Sequence, residues 1–202
     1  MNKHRINHRI NHRIKHQSGF TLIELLVGLA ILTILAVTVS GAFDVSRSRA
    51  QALVSAMSEI GGANIRLKND TGCYIKRPDA LTNGTTGKAT TSNYCSKDLS
   101  STWNGPYLSK FSSDASTGAV KLDNVSSTVL VSLEQESGGV GKHYYTHAIN
   151  LPSDVVKQAL QECNKDATEG LLTTDFDNKK CRGSSGATDG TGIFDMIYDE
   201  TR

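Results

Sequence analysis

Ser18-Gly19-Phe20-Thr21-Leu22-Ile23-Glu24-Leu25-Leu26-Val27 sets a single carboxylate into an otherwise uncharged, largely apolar run that follows a basic leader. The run extends from Phe20 to about Phe43, long enough for a bilayer-crossing helix, which needs roughly 20 such residues. A lone ionised acid in hydrocarbon costs at least ~2.5 kcal/mol, so Glu24 needs a partner of opposite charge. An ordinary signal anchor with an accidental acid is the plainer alternative. It gives no reason for an acid at that place.

Residues 1–19 carry Lys3, Arg5, Arg9, Arg13 and Lys15 with no acid, in a repeating unit: Lys3-His4-Arg5-Ile6, Asn7-His8-Arg9-Ile10, Asn11-His12-Arg13-Ile14. Basic residues beside an apolar span hold that end in the cytoplasm, which is sufficient reason for the pattern. The recurrence of His4, His8, His12 and His16 at helical spacing offers a metal-binding alternative. Tandem duplication of a basic leader accounts for it more simply.

The string Gly19-Phe20-Thr21-Leu22-Ile23-Glu24 after a basic leader resembles the processing and assembly signal of type IV pilins and pseudopilins. The resemblance implies that a prepilin peptidase cuts between Gly19 and Phe20 and methylates the new amino terminus of Phe20. A glycine there leaves the backbone open to the protease. It also implies that the Glu24 carboxylate meets the terminal amine of a neighbouring subunit's Phe20 as a homo-oligomeric helical filament grows. Two opposite charges attract strongly in a low-dielectric core, and either alone is costly to bury. The partners implied are the peptidase, an inner-membrane assembly platform and its ATPase.

The leader holds five of the 22 basic residues and none of the 20 acids, so the remaining 183 of 202 residues carry 17 bases against 20 acids. The positive charge of the whole chain therefore belongs to the leader. No basic patch with interleaved aromatics remains, and no nucleic-acid partner is expected. The four parts expected are a cleaved leader (1–19), a transmembrane and filament-core half of a helix (20–43), its amphipathic half (44–68) and a periplasmic globular domain (69–202).

Beyond the apolar run, Val45, Leu53, Met57, Ile60 and Leu67 recur at helical spacings with Arg47, Arg49, Glu59, Arg66 and Lys68 between them, so one long helix is predicted from Phe20 to about Lys68. Gly28, Gly41 and the Gly61-Gly62 pair are weak points within it. In the family, such helices loosen around internal glycines during assembly. Asn69-Asp70-Thr71-Gly72 supplies the turn that ends it.

All four cysteines, Cys73, Cys95, Cys163 and Cys181, lie beyond the span, on the periplasmic side where disulfides persist. Three pairings are open to four cysteines. Cys73 with Cys95 and Cys163 with Cys181 is favoured, because each pair brackets a polar stretch that cannot pack itself, and closing it contributes about 3 kcal/mol. No spacing is of the CxxC kind that suggests a metal.

Residues 73–98 read as a surface loop. Trp103-Asn104-Gly105-Pro106-Tyr107-Leu108 resembles the Trp-x-Gly-Pro-Tyr-Leu string of pseudopilins and several pilins, with a structural role: Gly-Pro turns the chain while Trp103 and Tyr107 cover an edge. A carbohydrate-binding aromatic pair is the alternative. Strands are predicted at 119–122, 128–133, 143–149 and 193–198. A short helix is predicted from about Leu151, capped by Ser153, with Val156, Leu160 and Cys163 on one face. The fold class is α+β in the type IV pilin manner: a long hydrophobic N-terminal helix packed on an antiparallel sheet, with disulfide-bounded loops.

His143 and His147 fall on one face of a strand and raise a metal pair, yet no nearby carboxylate completes a ligand set. Asp175, Asp177 and Asn178 form an oxygen-rich cluster, and related pseudopilins hold a calcium in their C-terminal loops. The full calcium-loop pattern is absent, which favours a solvated acidic loop. No phosphate loop and no nucleophile–histidine signature is present. No enzymatic activity and no cofactor are expected.

The function expected is that of a structural subunit of a type IV pilus, a fimbrium serving adhesion, held in the inner membrane before assembly and extracellular after it. The alternatives are a type II secretion pseudopilin and, from another class, a membrane-tethered periplasmic enzyme or binding domain. Phe20 is typical of shorter-leader pilins and pseudopilins. The length and the two cysteine pairs lean toward the larger pilins.

Overall fold

The computed structural model describes residues 21–138, 141–170, 176 and 178–201, with the side chains of 35–44 and 138 excepted. These residues fall into two compact units, one running to Gly41 and one from Ala42 onward. Helix α1, Leu22–Thr71, supplies the first unit and opens the second. Among the described residues no helix is long and apolar enough to cross a membrane. The expected span includes Phe20 and the side chains of 35–43, which lie outside them.

In the second unit α1 presents Ala50, Leu53, Met57, Ile60, Ala63 and Leu67 to the core, all of them fully buried. Their spacing of threes and fours is one stripe of a 3.6-residue helix. Val45, expected on that stripe, is instead 51% exposed. The helix stops at Gly72, whose φ of 78° suits a residue without a side chain and lets its N–H reach the Lys68 carbonyl at 2.7 Å.

The segment after α1 is more ordered than its polar composition suggests. It holds the 3-10 turns Pro78–Leu81 and Thr90–Ser92 and the short helix α2, Gly84–Lys88, whose N-cap Asn83 accepts from the Thr85 N–H. Ile75, Ala80, Leu81 and Leu99 anchor it in the core, and a disulfide joins Cys73 to Cys95. Asn64, fully buried on α1, reads the backbone of Ile75 as a strand would, donating to its carbonyl at 3.1 Å and accepting from its N–H at 2.9 Å.

The Trp-x-Gly-Pro-Tyr-Leu segment seals this region against the helix. The Tyr107 N–H donates to the Leu81 carbonyl, its carbonyl accepts from Arg66, and its hydroxyl donates to Asp70 at 2.7 Å. Trp103 meets Tyr107 edge to face at 5.8 Å and lies over Gly84 and Gly87, where a Cβ would come within 3.0 Å of the indole. Trp103 and Tyr107 are thereby engaged within the fold.

Five antiparallel strands form one sheet in the order β1-β2-β3-β5-β4: β1 Val120–Lys121, β2 Leu130–Gly138, β3 Gly141–Leu151, β4 Cys181–Ser184 and β5 Gly192–Thr201. Val131, Leu133, Tyr144, Ala148, Phe194 and Met196 are buried on the face toward α1. Strand β4 was not among the predicted strands, because Cys-Arg-Gly-Ser has too few β-branched or aromatic residues to read as one. Helix α3, Ser153–Asn164, buries Val155, Val156, Ala159 and Leu160. The expected Ser153 cap is corrected: Pro152 is the N-cap and Ser153 the first helical residue, its N–H taken by Asp189 and its hydroxyl by the Ser185 carbonyl. A second disulfide joins Cys163 to Cys181, and beside it the Asn164 side chain holds the Cys181 backbone by two hydrogen bonds.

Candidate functional site

Two places concentrate functional chemistry. The first is the start of α1. Leu22 and Ile23 are 80% and 72% exposed, and Leu25, Leu26, Val27, Leu29, Ile31, Leu32 and Ile34 are all more than half exposed. Consecutive helical residues point all round the axis, so this segment has no polar face to offer water. Fully burying each such side chain is favourable by about 1.5–3 kcal/mol, a demand met only by lipid or by other chains.

Glu24 is the acid of that segment, and the structure shows how it is held. Thr21 precedes the helix, its hydroxyl accepts from the Glu24 N–H, and the Glu24 carboxylate accepts in return from the Thr21 N–H and hydroxyl, each at 3.4 Å. This is the reciprocal cap in which a threonine and a glutamate three residues on satisfy each other's free donors. The pattern Thr21-Leu22-Ile23-Glu24 was available in the sequence and went unread there. Gly19 and Phe20, expected at the cleavage and methylation position, lie outside the described residues, as does the leader.

The second place is the sheet face turned away from α1. Alternation directs Ser132, Glu134 and Glu136 of β2, His143, Tyr145 and His147 of β3, and Asp195 of β5 to that side, joined by Arg182 of β4. Asp195, 2% exposed, binds His147 Nδ1 through one oxygen at 2.6 Å and Arg182 Nε through the other at 2.8 Å. The terminal nitrogens of Arg182 grip Glu136 at 2.9 and 3.1 Å, the forked geometry a guanidinium makes with a carboxylate. Phe176, 3% exposed, lies over the guanidinium at 4.1 Å, with Tyr145 at 5.2 Å on the same group.

Burial works to lower the His147 pKa, but the hydrogen bond and charge of Asp195, with the charge of Glu134, outweigh it and hold the imidazole above its usual value. Burial and the charges of Asp195 and Glu136 push the Tyr145 phenol up to about 12. The sequence reading found no carboxylate near the histidines, and the sheet corrects this. His143 sits 3.8 Å from Glu136 on one side and 3.8 Å from Glu200 on the other, because β2 and β5 flank β3. These contacts are on opposite ring nitrogens, and no metal-holding group occurs among the described residues. Asp175 and Asp177, raised for calcium, lie outside the described residues.

A family model, the prokaryotic N-terminal methylation motif, matches residues 14–40. It spans the leader's end, Gly19, Phe20 and Glu24, and is the hallmark of type IV pilins and pseudopilins. The match covers the N-terminal motif alone and supports a type IV pilin or pseudopilin, a family that is structural and generally non-enzymatic. The motif implies processing by prepilin peptidase from a membrane-anchored precursor, and the helix, five-stranded antiparallel sheet and two disulfides are consistent with the type IV pilin fold. No curated protein and no solved structure matches the chain.

Proposed function

We propose that the chain is the structural subunit of a type IV pilus. The precursor is cut between Gly19 and Phe20, methylated at Phe20 and held in the inner membrane by residues 20–43, with residues 69–202 in the periplasm. A platform protein and an ATPase then draw it into a helical filament. The observation that carries this reading is the all-round exposure of apolar side chains from Leu22 to Ile34 about a single acid. A tether needs the apolar residues but has no use for Glu24 at its fixed place.

In the filament, Glu24 exchanges its bonds to Thr21 for the amine of a neighbouring Phe20. Replacing Glu24 by Leu raises the hydrophobicity of the segment, so membrane insertion is kept or improved. Assembly fails, since burying that amine without its counter-charge costs ~3–5 kcal/mol. The test expresses Glu24→Leu as the sole copy in the native host, with sheared filaments counted by electron microscopy. Wild-type yield with normal processing overturns the charge pairing. Absence of the unaltered protein from any filament points to a tethered domain instead.

The Trp103-Asn104-Gly105-Pro106-Tyr107-Leu108 string favours a second reading, a type II secretion pseudopilin. Deleting the gene then abolishes export of folded periplasmic proteins and leaves surface pili intact.

A further inference from the structure

We propose that Asn164 is a positioning residue for the oxidation of Cys163 and Cys181: its side chain holds the two cysteines together before they are joined, and a disulfide-bearing oxidant enters at Cys163, leaving Cys181 to complete the bond. The proposal concerns the globular unit and holds for a pilus or a secretion filament alike.

Each cysteine is seated on the core by its own element. Cys163 lies in the last turn of α3, which buries Val155, Val156, Ala159 and Leu160. Cys181 opens β4 and pairs with Met196 of β5, and the Ile197 N–H donates to the neighbouring Lys180 carbonyl at 3.0 Å. None of these anchors involves sulfur. The Asn164 amide joins the two elements next to the sulfurs: its Nδ2 donates to the Cys181 carbonyl at 2.7 Å, and its Oδ1 accepts from the Cys181 N–H at 3.1 Å. Both polar groups of one cysteine's backbone are thus held by the residue that follows the other cysteine. The nearby Lys179–Asp166 ion pair has side chains 43% and 49% exposed, and pairs of that kind hold little.

The first disulfide is prepared differently. Around Cys73 and Cys95 the backbone joins the two segments, with the Tyr94 N–H donating to the Tyr74 carbonyl at 2.9 Å and the Lys76 N–H to the Ser92 carbonyl at 2.8 Å. At the end of α3 a side chain takes that part, so it can be removed without touching the main chain.

The exposure of the sulfurs sets the order of events. Cys181 is 1% exposed, whereas Cys163 is only partly buried. Thiol–disulfide exchange depends on access, so Cys163 reacts first. Its thiolate attacks one sulfur of the oxidant's disulfide, forming a mixed disulfide and expelling the other sulfur as a thiolate. The Cys181 thiolate then attacks Cys163 Sγ, the bond to the oxidant breaks, and the oxidant's second thiolate leaves. Two protein thiols are oxidised, one oxidant disulfide is reduced to two thiols, and the two cysteine protons pass to the departing thiolates. The second step is intramolecular across a separation of 18 residues, and holding Cys181 beside Cys163 raises its effective concentration.

The full chain in detergent micelles is equilibrated with reduced and oxidised glutathione, as wild type and Asn164→Ala, and its thiols are located by alkylation and peptide mapping. Two neutral hydrogen bonds of ordinary net strength correspond to about tenfold in an equilibrium constant. The ratio of reduced to oxidised Cys163–Cys181 therefore rises about tenfold in Asn164→Ala, and that of Cys73–Cys95 does not move. An unchanged ratio at Cys163–Cys181, or an equal rise at both pairs, overturns the proposal. If Asn164→Ala does not fold, hydrogen exchange in the Cys163→Ser, Cys181→Ser double variant decides. The amide at position 181 stays protected when Asn164 holds it without the crosslink, and exchange at the rate of an exposed amide refutes this. The wild type tests the order of attack. Quenched with acid during reoxidation by glutathione disulfide, it carries glutathione on Cys163, and glutathione on Cys181 refutes entry at Cys163.

Discussion

Gly61 and Gly62 are neighbours in the same helix, and alanine has opposite effects at the two positions. Both substitutions gain about 0.8–1 kcal/mol from helix propensity and reduced freedom of the unfolded chain. At Gly62 the nearest atom to a new Cβ is the far end of Arg66, at 3.6 Å, an ordinary contact. Gly62→Ala is therefore stabilising by about 0.5–1 kcal/mol. At Gly61 the new Cβ lands 2.5 Å from Tyr198 Cβ and 2.8 Å from its Cγ, the stem of the side chain, so the ring cannot simply rotate away. The Tyr198 hydroxyl is tied to Asn64 at 2.7 Å, and its ring packs beside Tyr74 and Tyr144. Relief requires β5 to move off α1, and overpacking of this kind costs about 1–3 kcal/mol, which outweighs the propensity gain. Gly61→Ala is net destabilising by about 0.5–2 kcal/mol. Urea unfolding followed by the fluorescence of Trp103, the only tryptophan, measures both. Equal shifts for the two variants, or a stabilised Gly61→Ala, refute the packing of Tyr198 on α1.

Gly19→Val places a branched side chain at the scissile bond, so the precursor persists about 2 kDa heavier on a gel, the mass of the 19-residue leader. Normal maturation of that variant removes the peptidase assignment. Replacing Cys163 and Cys181 together by serine opens a crosslink of 18 residues separation and lowers stability by about 2–5 kcal/mol. Calorimetry reads this directly, and non-reducing peptide mapping that recovers Cys95 joined to Cys163 contradicts the pairing itself.

Local chemistry was written in contiguous residues, and there the sequence was sufficient. The basic leader, Gly19, Phe20 and Glu24 name the motif because it is a short contiguous string, matched over residues 14–40. The stripe Leu53, Met57, Ile60 and Leu67 gave the phase of α1 because a helix repeats every 3.6 residues. Runs rich in β-branched and aromatic residues placed β3 and β5. The disulfides join cysteines 22 and 18 residues apart, each closing its own polar loop. Thr21 was equally legible, as the first residue of a capping box.

What depends on strand order was not. Arg182 meets Asp195 across 13 residues and Glu136 across 46, and they converge only because β5 inserts between β3 and β4. Val45 fits the apolar stripe by spacing yet stays exposed. Ser153 had the chemistry of a cap, but it takes the first helical position after Pro152, with its N–H donated to Asp189 of a distant loop. Gly61 and Gly62 are identical letters, and only the position of Tyr198 tells them apart. A sequence fixes what each residue prefers among its chain neighbours. Which charges share a desolvated space, and which glycine is irreplaceable, is settled by the packing of segments far apart along the chain.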